Sequence, residues 1–242
     1  MMNAFDRRQF LGSAGLAASG IAIAMELGPQ TANAQTAPSK GKPSMNYEIK
    51  PMPFEPSRIK GMSEKLLVSH YENNYSGAVK RLNDIEKQLA NLDWANTPVF
   101  VINGLKREEL IAANSMILHE LFFSGLGGEG RPSGALAEAI TRDFGSFENW
   151  QTEFAAIGKA QGGGSGWTLL SWSPRDKKLM NTWAADHTNT LAGGRPILIL
   201  DMYEHAYHMD YGAKAAAYVD AFMQVIRWEN AGKLYEQYSK ET

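Results

Sequence analysis

The sequence predicts an α+β protein: a long helical hairpin first, then an α/β portion with a small sheet of about three strands. Two observations predict it. Between Met62 and Gly158 apolar residues recur at helical intervals, whereas after Gly162-Gly163-Gly164 they fall into short extended runs between polar turns. Beyond Ala213 the helical period returns, and no segment repeats another.

The elements follow in order. Met1–Ala34 carries Asp6-Arg7-Arg8-Gln9-Phe10-Leu11, then the mildly apolar run Gly12–Leu27. It ends on Ala32-Asn33-Ala34, a small-residue cleavage pattern. Paired arginines before a weakly hydrophobic stretch read as a twin-arginine signal peptide. The other readings are an ordinary secretory signal or a membrane anchor. Ser13, Ser19 and Glu26 make the run too polar for a spanning helix of about 20 apolar residues. The expected destination is the periplasm or the exterior, reached folded through the twin-arginine export machinery, with no stable membrane insertion after cleavage.

Residues 35–53, rich in Pro, Ser and Lys, read as a linker into an extended arm. Residues 54–130 are expected to form a helical-hairpin domain and residues 131–242 an α/β domain. Ser63 ahead of Glu64 starts the first helix, and Leu66, Leu67, His70, Tyr71, Ala78 and Leu82 carry its spacing to about Leu92, with an interruption near Ser76-Gly77. A second helix is expected over Arg107–Phe123, stopped by Gly125-Leu126-Gly127-Gly128. Leu136–Phe144 and Phe147–Gly158 read as shorter helices, the latter capped by Ser146. Trp167–Trp172, Lys178–Ala184 and Pro196–Leu200 read as strands, and Ala213–Ile226 and Trp228–Tyr238 as the closing helices.

Composition narrows the chemistry. Lys and Arg number 24 against 26 Asp and Glu, a formal charge of −2 that the expected cleavage leaves unchanged, so no basic surplus points to nucleic acid. Cysteine is absent, which excludes disulfides, thiolate metal sites and cysteine nucleophiles. Any metal must be held through nitrogen and oxygen.

The five histidines are His70, His119, His187, His205 and His208. In Asp201-Met-Tyr-Glu-His205-Ala-Tyr-His208 the aspartate follows an apolar strand directly and His205 comes four residues later, a spacing that lets both reach one ion. A surface Asp beside a buried, hydrogen-bonded His is the commoner explanation of that spacing alone. His119 lies among Met116, Ile117, Leu118, Leu121 and Phe122 and needs a partner there, because burying an unpaired polar group costs roughly 1–3 kcal/mol. A satisfied core histidine is one reading and a metal ligand the other; His70 stands similarly. Three neutral imidazoles and one carboxylate together would suit Mn, Fe or Zn rather than Mg or Ca.

At these residues the chain resembles the iron/manganese superoxide dismutases, over nearly all of Tyr47–Tyr238. Asp201-Met-Tyr-Glu-His205-Ala-Tyr207 resembles that family's signature Asp-x-Trp-Glu-His-Ala-Tyr. Gly164-Ser165-Gly166-Trp167, Phe144-Gly145-Ser146-Phe147 and Tyr47-Glu48 match further landmarks. The resemblance implies metal ligands His70, His119, Asp201 and His205 between the two domains, one Fe or Mn ion per subunit and no organic cofactor. It also implies a superoxide substrate, disproportionated to dioxygen and hydrogen peroxide, and a homodimer in which Glu204 reaches the partner's His205. His187 falls where one subgroup places a histidine that donates a hydrogen bond toward the metal's water; a polar turn residue is the alternative. Tyr207 belongs to the signature and is carried over with His187 as a catalytic candidate, and Trp167 as a wall of the site.

Departures from the family pattern cluster around the site. The gateway tyrosine is Ala78; a histidine four positions after the first ligand is Asn74; a tyrosine that reaches it from the other subunit is His208. An Asn74–His208 pair across the dimer is therefore expected. Phe123 and Tyr203 stand where tryptophans are usual, and Ser115 where glutamine or glycine is. Two cations are replaced by Asn73 and Ala215, so guidance of an anionic substrate is expected to weaken unless others, such as Lys80 or Lys214, take over. Two rival readings stay open: a redox metalloenzyme altered toward peroxide or dioxygen chemistry, and a non-catalytic metal-binding relative.

Overall fold

In the computed structural model, Pro43 and residues 45–241 are described; the export signal read from the sequence lies outside them. The architecture is the expected α+β one, helices first and a three-stranded sheet within the later half.

The first limb of the hairpin is α1 (Glu64–Ser69), a π-helical turn (His70–Tyr75) and α2 (Ser76–Ala90). Ser63 caps it as expected, its hydroxyl accepting the Leu66 N–H. Asp210 in turn accepts from the Ser63 N–H at 2.6 Å and its hydroxyl at 2.7 Å. The expected interruption near Ser76-Gly77 is this π-helical turn, which runs up to Tyr75 and closes on Ser76: the Ser76 N–H reaches back to the Tyr71 carbonyl, five residues away. In α2, Val79, Leu82, Ile85 and Leu89 are buried, each apolar side chain stabilising by about 1.5–3 kcal/mol when fully covered.

The second limb, α3 (Val99–Ser124), begins about two turns before the expected Arg107. Pro98 sets its start, but Val99 and Phe100 are 81% and 74% exposed, so the first turns lack the buried stripe that periodicity detects. Next come α4 (Gly134–Phe144) and α5 (Phe147–Ala160), the latter capped by Ser146.

Strands β1 (Trp167–Ser173), β2 (Lys178–Ala184) and β3 (Arg195–Asp201) form an antiparallel sheet in the order β2-β1-β3. Every residue of β1 is buried, and its register sets Trp167 opposite Ala184 on one side and Asp201 on the other. Gly166 makes this junction possible. It has φ +140°, a Cβ there would stand 2.3 Å from the Ala184 carbonyl oxygen, and its own carbonyl accepts the Met202 N–H at 2.9 Å.

The chain closes with α6 (His208–Tyr211), α7 (Ala215–Phe222) and α8 (Trp228–Lys240). Helix α7 stops before the expected Ile226 because the Val225 carbonyl accepts the N–H groups of Gly127 and Gly128, stitching this segment to the end of the hairpin. Phe122, Phe154 and Phe222 stack in the core between helices and sheet. The expected arm lies along the hairpin: Asn83 exchanges two hydrogen bonds with the Tyr47 backbone, Tyr71 donates to the Lys50 carbonyl, and the Lys50 N–H donates to Tyr75. Among the described residues no helix is long and apolar enough to cross a membrane.

Candidate metal centre

Four side chains converge where the hairpin packs on the sheet. His70 opens the π-helical turn, His119 belongs to α3, Asp201 ends β3, and His205 lies in the short turn Glu204–Ala206. One donor atom from each lies within 4.8 Å of all the others; three of the four residues are buried and His205 is half-buried.

Asp201 divides its oxygens. Oδ1 accepts the Tyr203 N–H at 2.8 Å. Oδ2 faces three imidazoles, with Nε2 of His70 and of His205 at 3.2 Å and Nε2 of His119 at 3.6 Å. Despite these distances, Nε2 of His70 and of His119 make no hydrogen bond among the described residues. His119 Nδ1 lies 2.6 Å from the Ser115 carbonyl oxygen, which can only accept, so Nδ1 carries the ring proton and Nε2 presents a lone pair.

This arrangement fits a cation. Donors about 2.1 Å from one ion, at roughly 90–120° to one another, stand about 3.0–3.6 Å apart. The observed spacings to Oδ2 are of that size. Burial, reinforced by His70, holds His119 down to about 3, and burial lowers His70 against the pull of Asp201. Burial pushes the Asp201 carboxyl up, but the facing His205 and His70 outweigh it and hold it well below the usual carboxylate range. At neutral pH the site thus offers ionised Asp201 with His70 and His119 as neutral nitrogen donors, a set suited to Fe, Mn or Zn.

The surroundings fix a fifth group. The Trp167 indole N–H donates to His187 Nδ1 at 3.0 Å. An indole only donates, so Nδ1 is bare and the neutral ring carries its proton on Nε2. Burial lowers His187, which keeps it neutral. Tyr203 stacks between His187 and His205, with centroids 4.9 and 5.3 Å away, and burial raises its hydroxyl to about 12. Trp167 meets His119 edge-on at 5.2 Å, and Phe122 and Phe123 flank His70.

A cavity of about 260 Å³ opens onto His119, His187 and His205. Its walls bring Asn74 and Ala78 from the first limb together with Ser115 from the second. Tyr207 stands elsewhere: it is buried, stacks on Tyr218 at 5.3 Å, and does not line the cavity. Glu204 and His208 are exposed and make no side-chain bond among the described residues. Neither Lys80 nor Lys214 lines the cavity; Arg81 does. Sequence reasoning missed Arg81 and also Asn114, whose amide donates to the His187 carbonyl. Arg81 lies seven residues after Asn74, two turns along one face, and that spacing could have found it.

Comparisons with known proteins agree with this site. A family profile described as "Iron/manganese superoxide dismutases, C-terminal domain" matches residues 132–234, which include Asp201 and His205. "Superoxide dismutase [Fe]" of Cupriavidus metallidurans is 68% identical over 187 residues, 77% of this chain and 95% of that protein. "Superoxide dismutase [Mn] 1" of Halobacterium salinarum is 36% identical over 199 residues, 79% of this chain and 96% of the relative. "Superoxide dismutase [Fe]" of Aquifex pyrophilus is 32% identical over 195 residues, 77% and 90% of the two chains. At 68% identity over 95% of that iron enzyme's length, and with the family profile matching residues 132–234, this chain belongs to the iron/manganese superoxide dismutase family.

Proposed function

We propose that this protein is a superoxide dismutase whose His70, His119, Asp201 and His205 hold one iron or manganese ion. The observation that carries the reading is the gathering of three Nε2 atoms around one oxygen of a buried, ionised aspartate. The ion supplies the one-electron couple by which one superoxide is oxidised to dioxygen while a second, taking two protons, is reduced to hydrogen peroxide.

The chain's own groups do the rest. His187 offers a proton donor at Nε2 on the cavity wall, held in that tautomer by Trp167. Tyr203, kept protonated, adds apolar cover without a charge. No carboxylate lines the cavity, so an anion enters without meeting one directly. Loading the protein separately with iron and manganese and measuring superoxide consumption tests the proposal. If neither loaded form accelerates it, the reading fails.

The same reading extends to assembly and address. Exposed Glu204 and His208 are available to a second subunit, which supports a homodimer with Glu204 meeting the partner's ligand turn and Asn74 meeting His208. Export folded to the periplasm or exterior rests on Asp6-Arg7-Arg8-Gln9-Phe10-Leu11 and Ala32-Asn33-Ala34. N-terminal sequencing of the mature protein checks it: a start at Gln35 supports cleavage there, and retention of Met1 in an exported fraction refutes it.

A further inference from the structure

The cavity above the metal centre is walled by two stripes that run outward side by side. On the first limb Asn74, Ala78 and Arg81 follow one another along one face; on α3 so do His119, Ser115 and Ala112, with Glu108 one turn further out, beyond the cavity wall. Both stripes end in charge. Arg81 lies about 16 Å along the helix from His70. It lines the cavity and is ion-paired with Glu108, whose Oε1 also lies 3.4 Å from Arg107.

Three facts make this guanidinium more than a surface ion pair. Apart from histidines, Arg81 is the one charged side chain lining the cavity among the described residues. The wall between it and the interior is low: Ala78 is small, and a Cβ on Gly77 would meet nothing within 4 Å. Its charge is also felt inside, because Arg81 adds to the lowering of His187 that burial begins.

Resting on the dismutase reading, we propose that Arg81 gathers the anionic substrate at the cavity mouth and that Glu108 attenuates its charge. Two guanidinium groups share one carboxylate there, so the cluster keeps a net positive charge. Replacing Glu108 should free more of it. A unit charge 4 Å from a monovalent anion in water enriches it about fivefold, an upper bound that falls as salt screens the pair. Arg81 is a positioning residue for the substrate, since it stands well away from the ligands.

The test uses the full chain loaded with iron or manganese, with metal content checked in every variant by elemental analysis. Two quantities are read: kcat/KM for superoxide by pulse radiolysis from about 0.01 to about 0.3 M ionic strength, and the rate of azide association from the growth of the metal's absorption band. Arg81→Gln is expected to lower both by about threefold to fivefold at low salt and to flatten the salt dependence. Arg81→Lys should retain most of both. Glu108→Gln should raise both by about twofold and steepen the salt dependence. An unchanged rate of azide association in Arg81→Gln overturns the proposal. So does a fall in both quantities in Glu108→Gln, which would mean that the pair only braces the hairpin. A loaded wild type that binds azide but does not consume superoxide would sink the dismutase reading, while the azide arm would still decide the role of Arg81.

Discussion

Replacing Gly166 with alanine tests how the metal centre is braced, because this residue sits beside two of its supports. Its φ of +140° strains any L side chain, a penalty of about 1–3 kcal/mol. The new Cβ would stand 2.3 Å from the Ala184 carbonyl oxygen and 2.7 Å from Gln161 Oε1. The amide can swing away, but the Ala184 oxygen is backbone at the end of β2, paired with Trp167. Relief requires β1 and β2 to part there, and forced backbone shifts of this kind cost about 1–3 kcal/mol more. A loss of about 2–6 kcal/mol at about 2–4 °C per kcal/mol lowers the melting temperature by about 4–24 °C. Metal retention should fall too, since Trp167 orients His187 and the Gly166 carbonyl holds Met202, the neighbour of Asp201. Calorimetry with elemental analysis reads both effects. The control is Gly104→Ala in α3, where a Cβ meets nothing within 4 Å and removing a helical glycine stabilises by about 0.5–1 kcal/mol. If Gly166→Ala melts within about 1 °C of wild type, or both variants shift the same way, the reasoning is wrong.

Other perturbations probe the site directly. Each of His70→Ala, His119→Ala, Asp201→Ala and His205→Ala should abolish metal retention; full occupancy in two of them, by elemental analysis, would remove the ligand assignment. The metal-free protein should lose stability as pH falls from about 6.5. Below that value the unfolded chain protonates its histidines, whereas folded His119 stays neutral to about 3. His119 alone should then remove about 2 kcal/mol between pH 6.5 and 5, seen as a falling melting temperature, and a flat profile would contradict it. Asp201, held low, adds its own loss only below about pH 4, in the same direction. If Asn74 meets His208 across a dimer, a double-mutant cycle on subunit dissociation should give a coupling of about 0.5–1.5 kcal/mol; strict additivity would separate the two residues.

Much of this was legible before any coordinates. The three strands were placed to within a residue or so, because β1 and β3 are apolar runs bounded by Gly, Pro and polar turns. The caps Ser63 and Ser146 also announced themselves. The start of α3 did not, since its first turns bury little and periodicity reports burial rather than helicity. An interruption near Ser76-Gly77 was legible but its π-helical form was not: one extra residue shifts the apolar face without removing any apolar residue. Convergence of the ligands was legible only by resemblance. No local rule links His70 to His119 or either to Asp201; the fold closes those distances. Arg81 was overlooked because its chemistry depends on what α3 sets opposite it.

The arm along the hairpin bears on how the chain can be matured. Lys50 holds Tyr71 and Tyr75 through its backbone and Glu120 through its ammonium group, and Tyr75 donates to the same carboxylate at 3.1 Å. Tyr71 and Glu120 are the chain neighbours of His70 and His119. One short segment therefore clasps the two helices beside their imidazoles, as a non-covalent staple across the mouth of the hairpin. A leader removed at Ala34 leaves the staple whole, because every one of these bonds lies beyond Met45. A cut just past Lys50 would remove the bonds that Lys50 makes to both helices beside their imidazoles. The arm thus sets a boundary past which trimming or tagging the N-terminus ceases to be neutral for the metal.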